Sequence, residues 1–347
     1  MITAAILVFS GIATQLQARS ETEKTVAEKT FPVSANAELV IDHEFGVLEC
    51  KNWDRDEISV TIIARIDSEN EVKIEKALNR IKYEISGMKN RVNISCTINN
   101  KGNNNGNPNI SVDILINMPT AVRLDVKHKF GKAFIEEVDG ISKISSEYGA
   151  LTVGSLNAAD SKVKVAFGEG NVTNFESGAI SVSYSKFHLG ESKSVSLNSE
   201  FSDIYIEEVG RLSIKHEGGD LHIEEIDRIT GKSSFGSVTI EELSTALNIE
   251  TEYGSLTVEE VSGDFSDIVV SNQFGSAKLY IDDGATYLFD ATSIFGSIDY
   301  PTSLANLTYR EKTINKTVYK GIIGKEKQAT SSVKLTSEYG SIHLISN

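Results

Sequence analysis

The sequence predicts an all-β fold: a right-handed parallel β-helix (β-solenoid) of roughly 17–21-residue rungs, with a capping region of strands and one helix before it. Three observations carry that expectation. A short phrase recurs, made of an aromatic, usually a glycine, a small residue and then alternating apolar positions. It reads EFGVLEC from Glu44, KFGKAFIEEV from Lys129, EYGALTV from Glu147, FSDIYIEEV from Phe201, FGSVTIEEL from Phe235 and YGSLTVEEV from Tyr253. It returns as FGSAKLYI from Phe274, FGSIDY from Phe295 and YGSIHL from Tyr339. With the aromatic at position zero, the second observation is its spacing. Phe130, Tyr148, Phe167, Tyr184, Phe201, Gly218, Phe235, Tyr253, Phe274 and Phe295 follow one another in steps of 18, 19, 17, 17, 17, 17, 18, 21 and 21 residues. Gly218 holds the slot once without an aromatic, Phe45 is an outlying earlier copy, and Tyr339 ends the series after a longer gap.

The third observation is the pattern inside each unit. Around Phe201 the apolar positions are Val195, Leu197, Ile204, Ile206 and Val209, at −6, −4, +3, +5 and +8. Period two on either side of the aromatic means strands, and the change of phase between them means a corner. Glycine at +1 (Gly131, Gly149, Gly236, Gly254, Gly275, Gly296, Gly340) suits a corner that needs either unusual backbone angles or close approach. The upstream phase places the aromatic inward, which predicts a packed internal ladder of rings. Position −2 shares that face yet is small or polar: Ser146, Ser199, His216, Ser233, Thr251, Asn272, Ser293 and Ser337. These are expected to form an internal polar stack, hydrogen-bonded to neighbouring rungs or corner backbone. A single unit cannot bury its apolar side alone, whereas parallel stacking buries it and satisfies the backbone.

Taken in order, residues 1–18 read as a secretory signal, from the apolar run 2–14, and predict export to the periplasm, outer membrane or cell surface. Residues 30–125 read as a β-rich cap. Phe45 would place Cys50 and Trp53 inward at +5 and +8, and 58–66 is a strand. The one helix spans about 68–81, opened by Ser68 and Glu71 in capping-box relation, with Ile74, Ala77, Leu78 and Ile81 as its apolar stripe. Strands at 82–85 and 92–98 precede an Asn-rich loop at 99–109, and strands at 110–118 and 122–126 lead into the regular region, 126–300. Residues 301–347 are irregular and then close with a terminal rung containing Val333, Leu335 and Tyr339. A distinct cap is expected because a stack of strands exposes an unpaired edge at each end.

The chain of 347 residues carries 49 acidic and 34 basic side chains, a formal net charge of -15. That excludes a general nucleic-acid binder, since the surface repels phosphate backbones. The apolar run of the leader is too short to cross a bilayer comfortably, and no later segment is apolar enough to do so. Cys50 and Cys96 are too few for a disulfide framework and lack paired metal-ligand spacing, which leaves one bridge or two buried thiols. Of the six histidines, His43, His128 and His216 fall at −2 and read as polar core. No nucleophile elbow, HExxH, phosphate loop or dinucleotide fingerprint is present, so no catalytic, cofactor or metal residues are assigned.

The chemistry-bearing pattern is a double column of carboxylates at +6 and +7: Glu207 and Glu208, Glu224 and Glu225, Glu241 and Glu242, Glu259 and Glu260. In an in-register stack each lies about 5 Å from its neighbour. The column reads as a solvated face or as an interaction strip for basic partners or divalent cations such as Ca2+. It lacks the defined oxygen positions of a calcium loop.

The serial [Phe/Tyr]-Gly-[Ser/Asp/Ala]-apolar corners, the passage VDILINMPTAVRLDVKHKFG from Val112 and the terminal SSVKLTSEYGSIHL from Ser331 resemble the bacterial putative-adhesin family of unknown function common in Bacteroidetes. The similarity spans roughly residues 30–345. It implies a secreted or envelope-associated right-handed parallel β-helix with no assigned activity. The chain departs from that pattern at Ser185, Ser202, Gly218 and Gly219. The expectation is therefore a non-enzymatic, exported envelope protein, an adhesin or scaffold presenting its acidic side face to an envelope protein or glycan, with self-association through an end of the stack left open. The alternatives are a polysaccharide-degrading β-helix enzyme or a structural spacer. The enzyme would require clustered Asp, Arg or Lys over a groove, and arginine is sparse across the rungs (Arg211, Arg228).

Overall fold

The structure, a computed structural model, describes residues 21–99 and 108–347. The leader at 1–18 lies outside the described residues, as does most of the Asn-rich loop. The described chain is nearly all strand, with one helix, Glu71–Leu78. Strands from successive sequence units pair in parallel and in register. Ser142–Glu147 lies between Arg123–Val138 and Ser161–Ala166, with Leu124 opposite Ser142 and Lys162 opposite Lys143. Glu169–Ser183 pairs with Lys186–Glu200, Glu169 opposite Lys186 and Gly178 opposite Val195. Lys186–Glu200 pairs in turn with the start of Asp203–Glu252, Lys186 opposite Asp203. The pairing offsets, 18, 19, 17 and 17 residues, are the steps of the aromatic series. Like residues therefore stack on like, and positions −6, −4, +3, +5 and +8 form one continuous core, as with Val195, Leu197, Ile204, Ile206 and Val209. Each such side chain contributes roughly 1.5–3 kcal/mol through burial.

The corner is built differently from the sequence expectation. All eleven aromatics of the series have left-handed backbone, from φ 47° at Phe201 to 66° at Phe45. That conformation advances the change of phase to the aromatic itself. Position +1, not zero, becomes the inward residue after −2, and the ring is thrown outward. The expected internal ladder is thus an external one: Phe274 is 40% exposed and Phe235 62%. Apart from Gly46 and Gly219, the +1 glycines have no such positive φ. They are required by close approach: a Cβ on Gly149 would sit 1.9 Å from the Gly131 carbonyl oxygen, and one on Gly168 2.0 Å from that of Gly149. Where serine replaces glycine, its hydroxyl is used: Ser202 Oγ donates to Glu200 O at 2.8 Å and accepts from Ser185 N at 3.1 Å.

Unit order departs from chain order at the C-terminal end. Ser331–Glu338 pairs in parallel with Asp267–Gln273 on one side and Tyr287–Ile294 on the other. Ser341–Ser346 is likewise held between Ser276–Ile281 and Ser297–Asp299. The last unit is therefore inserted, and the rings run Phe274, Tyr339, Phe295. Beyond Tyr287–Ile294 the sheet is closed by two antiparallel strands, Lys316–Ile323 and then Ala305–Lys312. The outer strand carries Arg310, Glu311 and Lys312, charges that discourage edge pairing.

The other end is covered in the same manner. Glu38–Asn52 pairs with Arg123–Val138 on its inner side. On its outer side it takes Arg91–Ile98 and Ile110–Met118 in parallel. Antiparallel strands follow, Ile81–Met88 on the first of these and Glu57–Ile66 on the second, with Thr22–Pro32 outermost. The helix sets Ile74 and Ala77 on Ala64 and Ile66 in a small separate cluster. It is shorter than expected, and its N-cap is Asn70, whose Oδ1 accepts from Lys73 N at 3.1 Å. Ser68 instead accepts from Asn70 N, so the anticipated Ser68–Glu71 capping box is replaced by an equally favoured Asn cap two residues on. Trp53 is half-buried, not inward: its Nε1 donates to Glu57 O at 2.8 Å and the Arg55 guanidinium lies over its ring. Cys50 and Cys96 are both buried free thiols, and burial pushes each up to about 12.

Candidate interaction surface

The internal column at −2 is polar as expected, but its hydrogen bonding is uneven. His43 and His128 stack with ring centroids 4.9 Å apart and Nδ1 atoms 3.1 Å apart, and His43 Nε2 lies 2.7 Å from Val112 O. Ser199 Oγ meets His216 Nδ1 at 2.7 Å, while Thr251 donates to Asn272 Oδ1 and Asn272 donates to Gly275 O. The hydroxyls of Ser146, Ser233, Ser293 and Ser337 find no partner in the protein. A buried neutral hydroxyl beside others of its kind costs far less than a buried charge, so the column tolerates them. Burial holds the His43 and His128 imidazoles down at about 4, so both are neutral at pH 7. This column is a structural interior. It meets no solvent and offers no ligand a way in.

Outside, the +6 and +7 glutamates lie at the surface. Glu207, Glu208, Glu225, Glu241, Glu242, Glu259 and Glu260 are exposed and Glu224 is half-buried. Direct pairing sets Glu191 opposite Glu208, and Glu242 opposite Glu260. Like charges directly opposite in a sheet destabilise it by a few tenths of a kcal/mol up to about 1 kcal/mol. The two columns differ in their surroundings. In the +6 column, His188 Nε2 reaches Glu207 at 3.0 Å, His222 Nε2 reaches Glu241 at 2.9 Å, and the Tyr205 hydroxyl donates to Glu224. That bond raises the Tyr205 phenol to about 12. The +7 column has no such partners, and among the described residues no Lys or Arg forms an ion pair with any of the eight glutamates. Nor do three or more His, Cys, Asp or Glu side chains gather as metal ligands among the described residues.

Sequence reasoning missed the companion of this strip. His188, Tyr205 and His222, all at +4, stack at 5.3 and 5.1 Å and form one wall of a shallow groove of about 640 Å3. The opposite wall is the +2 column, including Lys186, Asp203 and Asp220, and the floor includes Gly170 and Phe187. The Phe187 ring occupies the space a side chain at Gly170 would need. The signal was present as a +4 column of ring residues, but period-two reading discards outward positions.

The external ladder is the other unanticipated surface. Phe45, Phe130, Tyr148, Phe167, Tyr184 and Phe201 form one continuous stack, with centroids 4.8–5.4 Å apart. Phe235, Tyr253, Phe274, Tyr339 and Phe295 form a second. Left-handed backbone costs an L-residue roughly 1–2 kcal/mol, which ring stacking of about 0.5–1.5 kcal/mol per pair offsets in good part. Within each stack the ring faces cover one another, so mainly edges meet solvent.

No protein-family profile and no curated protein matches the chain. Among solved structures it is similar to a putative cell adhesion protein from Clostridium sporogenes, at 12% identity over 94% of this chain and 99% of that one, TM-score 0.18. It is also similar to a putative adhesin from Parabacteroides distasonis, at 12% identity over 94% and 98%, TM-score 0.30. A third is a putative lipid binding protein from the same organism, at 15% identity over 92% and 96%, TM-score 0.28. At these scores nothing about ligands is carried over from them.

Proposed function

We propose that the chain is a non-enzymatic binding protein of the cell envelope, a right-handed parallel β-helix whose acidic side face holds a basic macromolecular partner. The observation that carries this reading is the +7 column, where Glu191, Glu208, Glu242 and Glu260 stand in directly opposed pairs and, among the described residues, form no ion pair with Lys or Arg. The arrangement lowers stability and gains nothing within the fold, which is the pattern of residues retained for contact with something else. A stack of in-register units supplies a long, stiff face over which charge complementarity fixes partner and register. The adhesin names of the structural neighbours agree with a surface-binding role. Right-handed winding follows from the usual chirality of parallel crossovers. Export rests on the apolar leader, and no helix of the described residues is long and apolar enough to cross a membrane.

The test is a four-site variant, Glu208→Gln, Glu225→Gln, Glu242→Gln and Glu260→Gln, compared with the parent for saturable binding to immobilised envelope proteins and to a lysine decapeptide. Binding is expected to fall by roughly tenfold or more at physiological salt, with thermal stability held or slightly raised. Undiminished binding by a folded variant would exclude the strip as the contact face.

A further inference from the structure

The two aromatic stacks are separated by the single corner that lacks a ring. At Gly218 the backbone keeps the left-handed conformation of its neighbours, with φ 72°, but no side chain projects. One face of Phe201 and one face of Phe235 therefore have no stacking partner, whereas rings inside either stack are covered on both sides. Phe235 is the most exposed ring of the ladder. Phe201 responds to the gap. It is tilted 21° against Tyr184 where the other ladder pairs lie within 1–9°, and its nearest ring carbon is 2.9 Å from where a Gly218 Cβ would be. Two steps of about 4.8 Å separate the corners of Phe201 and Phe235, the room that one planar group takes in this ladder.

Charge is concentrated at the same place. The corners at Phe201 and Gly218 are the only ones among the described residues with carboxylates on both sides, Glu200 and Asp203 at the first, Glu217 and Asp220 at the second. Glu200 pairs directly opposite Glu217, and Asp220 N donates to Asp203 Oδ1 at 3.4 Å. None of the four has a Lys or Arg ion-pair partner among the described residues, whereas at two other corners the −1 glutamate is paired, Glu147 with Lys129 and Glu252 with Lys232. With the Phe201 ring upright, the corner offers a flat slot one ring thick, walled by two aromatic faces and rimmed by four carboxylates that lack Lys or Arg partners, and such a slot matches a planar cation.

We propose that the gap at Gly218 is a binding site for the guanidinium group of an arginine side chain presented by a partner, which replaces the missing ring between Phe201 and Phe235. The guanidinium is planar, stacks on aromatic faces and directs its N–H donors outward in its own plane, where Glu217 and Asp220 can accept them. A lysine ammonium matches the charge but cannot fill a flat slot. In the free protein Phe201 leans over Gly218, and binding stands it upright. The site lies at a corner distinct from the +6 and +7 glutamates and does not depend on their role.

The experiment uses the whole chain and two probes of equal charge, the peptides acetyl-Gly-Arg-Gly-amide and acetyl-Gly-Lys-Gly-amide, titrated by calorimetry and by aromatic proton NMR. The arginine peptide is expected to shift the Phe201 and Phe235 ring resonances and to bind roughly tenfold more tightly than the lysine peptide. Gly218→Phe, which completes the ladder in a backbone conformation the eleven ladder aromatics already adopt, is expected to abolish that preference. Asp220→Asn should weaken arginine binding severalfold, and the four-site glutamine variant of the side face should leave it within about twofold. If Gly218→Phe does not fold, Phe235→Leu removes one wall and is expected to give the same loss. Equal binding of the two peptides, or arginine binding that survives both Gly218→Phe and Phe235→Leu, overturns the proposal.

Discussion

Acidifying from pH 7 to pH 5 is expected to destabilise the protein by about 2 kcal/mol for each of His43 and His128. Burial is the largest cause, and it holds both imidazoles down at about 4, against 6.5 for a free imidazole. The charges of Asp42 and Asp113 oppose that shift at His43, while the His43–His128 contact reinforces it at His128. Between these values the unfolded chain takes up protons that the folded chain refuses, so the full contribution is present above about pH 6.5 and is lost as pH falls toward 4. His216, lowered by burial against the charges of Asp220 and Asp203, adds in the same direction. Urea unfolding at pH 7 and pH 5 measures the effect. Its assignment is checked by the His43→Asn, His128→Asn pair, in which most of the loss between the two pH values should disappear. A denaturation midpoint that does not move between pH 7 and pH 5 would contradict it.

The second large effect is steric. Gly149→Ala is expected to cost about 3 kcal/mol or more, and Gly131→Ala a similar amount, because the new Cβ meets a backbone carbonyl at 1.9 Å and 1.8 Å respectively. Neither carbonyl can turn aside without breaking the pairing of adjacent units. Gly263→Ala is the control. There a Cβ would meet only the movable end of Asp282 at 3.3 Å, and the change should stay within about 0.5 kcal/mol. Similar thermal shifts for Gly149→Ala and Gly263→Ala would show that the glycine column is not tightly stacked.

The same column shows how much of the fold could be read in advance. Val195, Leu197, Ile204, Ile206 and Val209 were assigned to the core by period two, and all are buried. The corner was harder because its aromatic belongs to two phases, inward when counted from −2 and outward when counted back from +3. Only the backbone angle decides, and a left-handed phenylalanine or tyrosine is an improbable choice from local preference alone. Stacking between units makes it favourable, and that is a property of neighbours, not of the local sequence.

Tyr339 was misplaced for a related reason. Chain order puts it after Phe295, but the antiparallel strands Lys316–Ile323 and Ala305–Lys312 occupy the outer side of Tyr287–Ile294, and the last unit returns to the inner side. Repeat spacing carries no information about such a return. Of the interaction surface, the +6 and +7 glutamates were evident from their repetition, while the +4 column of His188, Tyr205 and His222 and the uncovered faces at Gly218 became apparent only once neighbours were placed side by side.

Paired cysteines at the corners test this arrangement most directly. In the chain carrying Phe274→Cys and Tyr339→Cys, mild oxidation is expected to form an intramolecular disulfide, since these rings are adjacent with centroids 5.0 Å apart. In the chain carrying Phe274→Cys and Phe295→Cys it should not, since Tyr339 stands between them and two steps of about 4.8 Å exceed the reach of a disulfide. The native thiols Cys50 and Cys96, buried and held near 12, stay out of the reaction. Efficient cross-linking of Phe274→Cys with Phe295→Cys, and none with Tyr339→Cys, would contradict the stacking order on which the fold and both proposed binding surfaces depend.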